Sequence, residues 1–325
     1  MTPPGVPAGT GEAWPGAVAS RPATGTVGLP RRRRRRNFGP RFAPYLFLAP
    51  ALVPGVLFYL LPVGVSLILS FTDWNLLSAP RWVGWRNYTY LLSIDPTFYR
   101  TLLNTFVFAI GGAVVGIPLA LLVAWAISLS RGKAYWRVIF WLPMVTNVVA
   151  VAYAWRFVLD PSYGLLNRLL ELVGLGGPEW LGSPTTAMIS VVAVSVWMGL
   201  GHNILLFAAG LESIDESLYE AARLDGAGPW RILRHVTLPL LRPTLLFASV
   251  TGLISGLGTF ALILLLTAGG PEGSTNVSAL YIYQMAFEHL RMGRASAAAL
   301  ILFVLVLLLT LLQVRVLRRG GLDAH

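Results

Sequence analysis

The chain has 325 residues, 55% of them hydrophobic and only 12% charged, with a formal net charge of +11 and no cysteine; its mean hydropathy is +0.67. A soluble domain of this length carries about twice that charge, so composition excludes an ordinary globular enzyme and points to a membrane protein. The lack of cysteine excludes disulfides, thiol catalysis and thiolate metal sites.

Residues 1–43 are rich in Pro, Gly and Ala, low in bulky apolar groups and expected to be disordered. They end in a basic tract, Arg31 to Arg36, followed by Arg41. Such a tract can bind nucleic-acid phosphate. Directly before a membrane span it is better explained as a topogenic anchor facing lipid headgroups, so no nucleic-acid partner is expected. No cleavable signal is evident, because the following apolar run is too long for a signal core.

Six apolar runs are long enough to cross about 30 Å of hydrocarbon at about 1.5 Å per residue. They lie near 44–71, 101–129, 136–158, 185–211, 242–268 and 294–316. Pro44, Pro50, Pro54 and Pro62 predict a kinked first span. The expected fold is an all-α membrane protein with six transmembrane helices and a short C-terminal tail, 317–325. Between the first two spans, the segment 72–100 carries three tryptophans and is expected to form an interfacial aromatic belt. Residues 165–175, LLNRLLELVGL, predict a short amphipathic helix between the third and fourth spans. Asn87 and Asn276 satisfy a glycosylation sequon, a pattern too common to carry a role.

Lys and Arg set the orientation. With the N-terminus inside, eighteen basic residues fall on cytoplasmic segments and seven on outer ones, together the 25 of the sequence. Both termini and the loop 212–242 are then cytoplasmic. That loop is too polar for lipid. Ser213 and Glu216 have capping-box spacing, which predicts a helix from Ile214 to Leu224. Gly226 and Gly228 stop it, and Pro229 suits the first turn of a second helix. Ile214, Leu218, Ala221, Ala222 and Leu224 give the first helix an apolar side, as a docking surface requires.

These residues also carry a resemblance. Glu220-Ala221-Ala222, then Gly226, Val236 and Leu238-Pro239, at their spacing, resemble the EAA loop of binding-protein-dependent ABC transporter permeases, with Val236 where Ile is usual. The stretches 84–92 (GWRNYTYLL), 163–167 (YGLLN) and 266–271 (LTAGGP) are similar to the sugar-transporting subgroup. The resemblance implies a type I importer permease whose 212–242 loop is a coupling helix docked in a groove of a separate ATPase. Glu220, Ala221, Ala222, Asp225, Gly226, Leu238 and Pro239 would carry the coupling. It further implies a second permease subunit, two cytoplasmic ATPase subunits that use ATP and Mg, an extracytoplasmic solute-binding protein, and a place in a bacterial-type plasma membrane.

The chain supplies no energy source of its own. A phosphate-binding Walker A loop needs Gly-Lys-Ser/Thr, and the one lysine, Lys133, precedes Ala134 and Tyr135. No acidic residue sits mid-span, where a proton- or ion-driven carrier places one. Small and polar residues concentrate in the fourth and fifth spans. Ser195, Gly199 and His202 share a helical face; Ser255, Gly256 and Thr259 stand on the fifth span. Close helix packing explains many such residues, and His202 could equally be an interhelical hydrogen-bonder. By resemblance, the sugar path of this subgroup runs between these two spans. Two function classes remain: a permease subunit of an ATP-driven sugar importer, without its own ATPase, and a stand-alone facilitator or secondary carrier. A membrane enzyme is disfavoured by isolated histidines and the lack of metal-ligand spacing or a nucleophile–base pair.

Overall fold

The computed structural model describes residues 43–319. The tract Arg31–Arg36, the expected disorder of the N-terminal tail and residues 320–325 lie outside the described residues. The chain divides into two units, residues 1–53 and 54–325. The described part of the first is a helical segment that opens α1 (Ala43–Gly55).

The second unit holds the rest. A π turn at Val56–Leu60 leads into α2 (Leu61–Leu69). The Leu61 N–H reaches back to the Val56 carbonyl, and Pro62 follows at once; its missing N–H and bulky ring disfavour the ordinary α register here. The expected kink is thus a π turn in a helical run. A short hairpin, β1 (Thr72–Asp73) and β2 (Arg81–Trp82), pairs Thr72 with Trp82 and Asp73 with Arg81, a feature the all-helical expectation lacked. Then come α3 (Arg86–Ser93) and α4 (Pro96–Leu129).

The third anticipated span is broken. It consists of α5 (Lys133–Val145) and α6 (Val148–Val158), which meet at 97°. Pro143 cannot donate to the preceding turn, and the Asn147 side chain accepts from the Val149 N–H at 2.8 Å, capping a new helix. The amphipathic α7 (Leu165–Leu172) forms as expected, and α8 (Pro184–Glu212) is unbroken.

Beyond α8 lie α9 (Glu216–Leu224), α10 (Pro229–Ile232), a π turn at Leu233–Thr237 and α11 (Leu238–Leu240). The chain then bends by 70° into α12 (Arg242–Leu257). The fifth anticipated span, 242–268, is also interrupted: α12 ends at the Gly256-Leu257-Gly258 stretch, and α13 (Ala261–Leu266) starts anew. α14 (Ser278–Tyr283), a π turn at Gln284–Glu288 and α15 (Met292–Arg319) follow. Among the described residues, Phe47–Leu69, Pro96–Leu129, Pro184–Glu212 and Met292–Arg315 are long and apolar enough to cross a membrane, and each bent pair adds one more if it counts as one span. The fold is therefore the expected helical membrane architecture, with four to six spans among the described residues where six were anticipated.

α4 against α8 is the most extensive helix contact. Gly111 and Gly116 of α4 receive Val192 and Val196 of α8; a Cβ built on either glycine would sit 3.5–3.8 Å from a valine methyl. Lipid is as apolar as a side chain, so such close packing, not exclusion from water, holds the pair together. One buried cluster joins Phe108, Val151, Val191, Ile263 and Leu280; a second joins Ala120, Ala124, Ile204, Phe207 and Leu241 nearer the α9 end.

The loops opposite α9 are tied by buried polar side chains. Asn87 donates to the Ser70 and Thr72 carbonyls, each at 2.8 Å. Phe71 stacks on Trp82 and meets Trp85 edge-on, so these aromatics pin the hairpin as well as facing outward. Asn167 accepts from Trp180 Nε1 at 2.6 Å and donates to Pro161 O. Thr275 donates to the Gly270 carbonyl in the turn after α13. The three stretches 84–92, 163–167 and 266–271 each contribute to one of these ties.

Candidate functional site

The α9–α11 segment is built almost entirely from local rules. Ser213, anticipated as the helix cap, instead ends α8, and its hydroxyl donates to Gly210 O at 2.7 Å. Asp215 is the cap: its carboxylate accepts from the Ser217 N–H at 2.9 Å, and these hydrogen bonds hold its pKa below the usual aspartate value. The helix thus starts at Glu216, two residues later than expected. Ile214 turns inward against the second cluster with Leu238, leaving Leu218, Ala221 and Leu224 as the exposed apolar side.

α9 ends in a Schellman closure. The Ala227 N–H bonds to Ala222 O and the Gly226 N–H to Arg223 O, both at 3.0 Å. Gly226 takes φ +74°, the left-handed conformation its position predicts. Gly228 precedes Pro229 at the start of α10. Pro239 has no N–H for the His235 carbonyl, and the π turn just before it absorbs the mismatch.

The coupling candidates divide by position. Glu220, Ala221, Asp225, Gly226 and Pro239 are exposed, while Ala222 and Leu238 are half-buried. Glu220 has no hydrogen-bond or ion-pair partner among the described residues, whereas its neighbours Glu216 and Arg223 pair at 3.3 Å. Ala222 and Asp225 line a hollow of about 290 Å³ shared with Arg231 and His235.

All six path candidates meet. Ser195, Gly199 and His202 of α8, with Ser255, Gly256 and Thr259 from α12 and its end, line one concavity of about 410 Å³. Gly199 opens into it: a Cβ there would have no atom within 4 Å. Gly256 is different, since its Cβ position lies 3.0 Å from Ala109 Cα, so this glycine serves the crossing of α12 over α4. Thr259 Oγ1 donates to Ser255 O at 2.8 Å, a bond that leaves its oxygen able to accept. His202 is exposed and makes no hydrogen bond among the described residues, so it is not an interhelical tie.

Sequence reasoning missed a third wall. Gly112 and Gly116 of α4 and Met144 at the α5–α6 break also line the concavity. The Gly111-Gly112 pair and Pro143 were the available signals.

Similarity to other proteins agrees with this geometry. The family model described as "Binding-protein-dependent transport system inner membrane component" matches residues 116–320, which include the concavity's α8 and α12 walls and the α9–α11 segment. The probable ABC transporter permease protein YurN of Bacillus subtilis is 34% identical over 286 residues, covering 86% of this chain and 97% of that protein. The trehalose/maltose transport system permease protein MalF of Thermococcus litoralis is 33% identical over 279 residues, covering 84% and 92%. A crystal structure of a bacterial ABC transporter involved in the import of the acidic polysaccharide alginate contains a chain with a TM-score of 0.74 and 26% identity, covering 85% of this chain and 95% of that one. In this family the membrane component is the permease and ATPase activity resides in separate subunits. A membrane chain with a concavity between its central helices that gathers a few hydroxyls and an imidazole, and with a capped, exposed loop helix, suits such a component, and this protein belongs to the binding-protein-dependent transport system inner membrane components.

Proposed function

We propose that the chain is one permease half of an ATP-driven importer for a sugar or sugar-like solute. Both termini and α9 would be cytoplasmic. Its partners would be a second, homologous permease, two ATPase subunits that bind ATP and Mg, and an extracytoplasmic binding protein that makes the first selection of solute. The observation that carries the reading is the convergence of Ser195, Gly199, His202, Ser255 and Thr259 on one concavity. Hydroxyls and an imidazole both donate and accept, as sugar hydroxyls require, and the surrounding small residues leave room for a ring. The names of the relatives, among them a trehalose/maltose permease, support the solute class.

Under this reading, Glu220, Ala221, Ala222, Asp225, Gly226, Leu238 and Pro239 form the coupling element. The bland account of Glu220 is a solvated charge. Its lack of a partner among the described residues, beside the exposed Leu218 and Leu224, supports an acceptor kept for a basic ATPase residue. The test is isolation of the chain with its neighbours in mild detergent. Co-purified ATPase subunits and hydrolysis stimulated by sugar-loaded binding protein are expected. Uptake by the lone chain in liposomes would overturn the proposal in favour of a stand-alone carrier.

A further inference from the structure

A cleft of about 740 Å³ lies between α9 and the helix ends above it. Its charged lining is Lys133, Arg137, Arg223, Glu212 and Glu216, one positive charge in excess. Trp125 and Tyr219 supply aromatic walls. Glu212 pairs with Arg137 through one Nη, and Glu216 pairs with Arg223 at 3.3 Å. Two donors are left over. Lys133 has no counter-ion among the described residues. The Nε–H of Arg137 is buried and has no acceptor among the described residues, an uncommon state for a guanidinium donor. Lys133 and Arg137 stand four residues apart on α5, so their side chains rise from the same face.

We infer that this cleft binds a phosphate group, held between Arg137 Nε and Lys133. An oxyanion with several acceptor oxygens can meet the spare Arg137 edge without breaking the Glu212 pair, and lysine serves phosphate as a point charge. A neutral polar ligand would leave the positive excess unmatched. The group can come from an anionic lipid headgroup at the membrane edge or from a soluble phosphate ester. Either would share the cleft with Tyr219 and the Glu216–Arg223 pair, behind the loop helix; its bearing on transport rests on the coupling reading above, but its binding does not.

The test uses the full chain in nanodiscs, without ATPase, so loss of coupling in a Glu220 variant and failure of this site are separate results. One arm dopes phosphatidylcholine discs with phosphatidylglycerol and counts retained anionic lipid by native mass spectrometry. The other titrates pure phosphatidylcholine discs with glycerol 3-phosphate by calorimetry. Saturable binding in one arm identifies the source. It should weaken at least tenfold in both Arg137→Lys, which keeps a cation for Glu212 but removes Nε, and Lys133→Gln. Binding in neither arm, or binding that both variants retain at parental strength, overturns the proposal.

Discussion

Gly199 and Gly256 line the same concavity, yet a methyl group on Gly199 would meet nothing within 4 Å while one on Gly256 would lie 3.0 Å from Ala109 Cα. Two glycines that look alike in the sequence therefore make opposite predictions. Gly199→Phe should leave the amount and thermal stability of the assembled complex unchanged and abolish uptake, because the ring projects into open space. Gly256→Phe should force α12 away from α4, at a cost of about 1–3 kcal/mol typical of overpacking, and lower assembly before uptake is measured. Parental uptake by a well-assembled Gly199→Phe complex would remove the concavity from the transport path.

How much of this could be read beforehand depended on whether the deciding interaction was local. Gly226 was legible because a helix stop needs a positive-φ residue wherever the rest of the chain goes, and its φ is +74°. The cap of α9 was not. Ser213 and Asp215 both suit a cap, and what decides is that α8 runs to Glu212 and keeps Ser213 for itself. Hydropathy merged α5 with α6 and α12 with α13, because apolar content is the same on either side of a bend. The wall contributed by α4 was hidden for another reason: its Gly112 and Gly116 join Gly199 only when three distant segments pack together.

Topology can be tested on a clean background, since the chain has no cysteine. A cysteine at Gly176 should react with an impermeant maleimide added outside intact cells, and one at Gly228 should react only after permeabilisation. Neither glycine has an atom near its Cβ position, so both cysteines should be tolerated. Outside labelling at Gly228 would reverse the assigned orientation.

The Asp215 cap predicts a pH dependence confined to the loop. Hydrogen bonds from Ser217 lower its folded pKa, so the stabilisation is present above the ordinary aspartate range and is lost as pH falls through the lowered value. The protection of the first-turn amides of α9, exchange measured against the intrinsic rate at each pH, should therefore fall on acidification in the parent. Asp215→Asn keeps an acceptor and should retain its protection with no such step; Asp215→Ala should show low protection at every pH. An acid step that persists in Asp215→Asn would assign the effect to another group.

Coupling itself is tested at Glu220 and Gly226. Glu220 is exposed, lacks a partner among the described residues and sits between the engaged Glu216 and Arg223, beside the apolar Leu218 and Leu224. If it receives a basic ATPase residue, Glu220→Lys places two like charges at a partly desolvated contact. The result should be loss of membrane-bound ATPase, or hydrolysis no longer tied to uptake, with normal insertion of the chain. Gly226→Val should act by a different route. A β-branched residue at φ +74° costs about 1–2 kcal/mol of backbone strain, which opens the Schellman closure and misplaces α10 relative to α9. Gly226→Asn, which tolerates the left-handed region, should recover most of the coupling that Gly226→Val loses. A solvated surface charge at Glu220 would instead change stability by at most about 0.5 kcal/mol and leave both activities intact. Parental ATPase recruitment and uptake in Glu220→Lys would end the assignment of this helix as the coupling element.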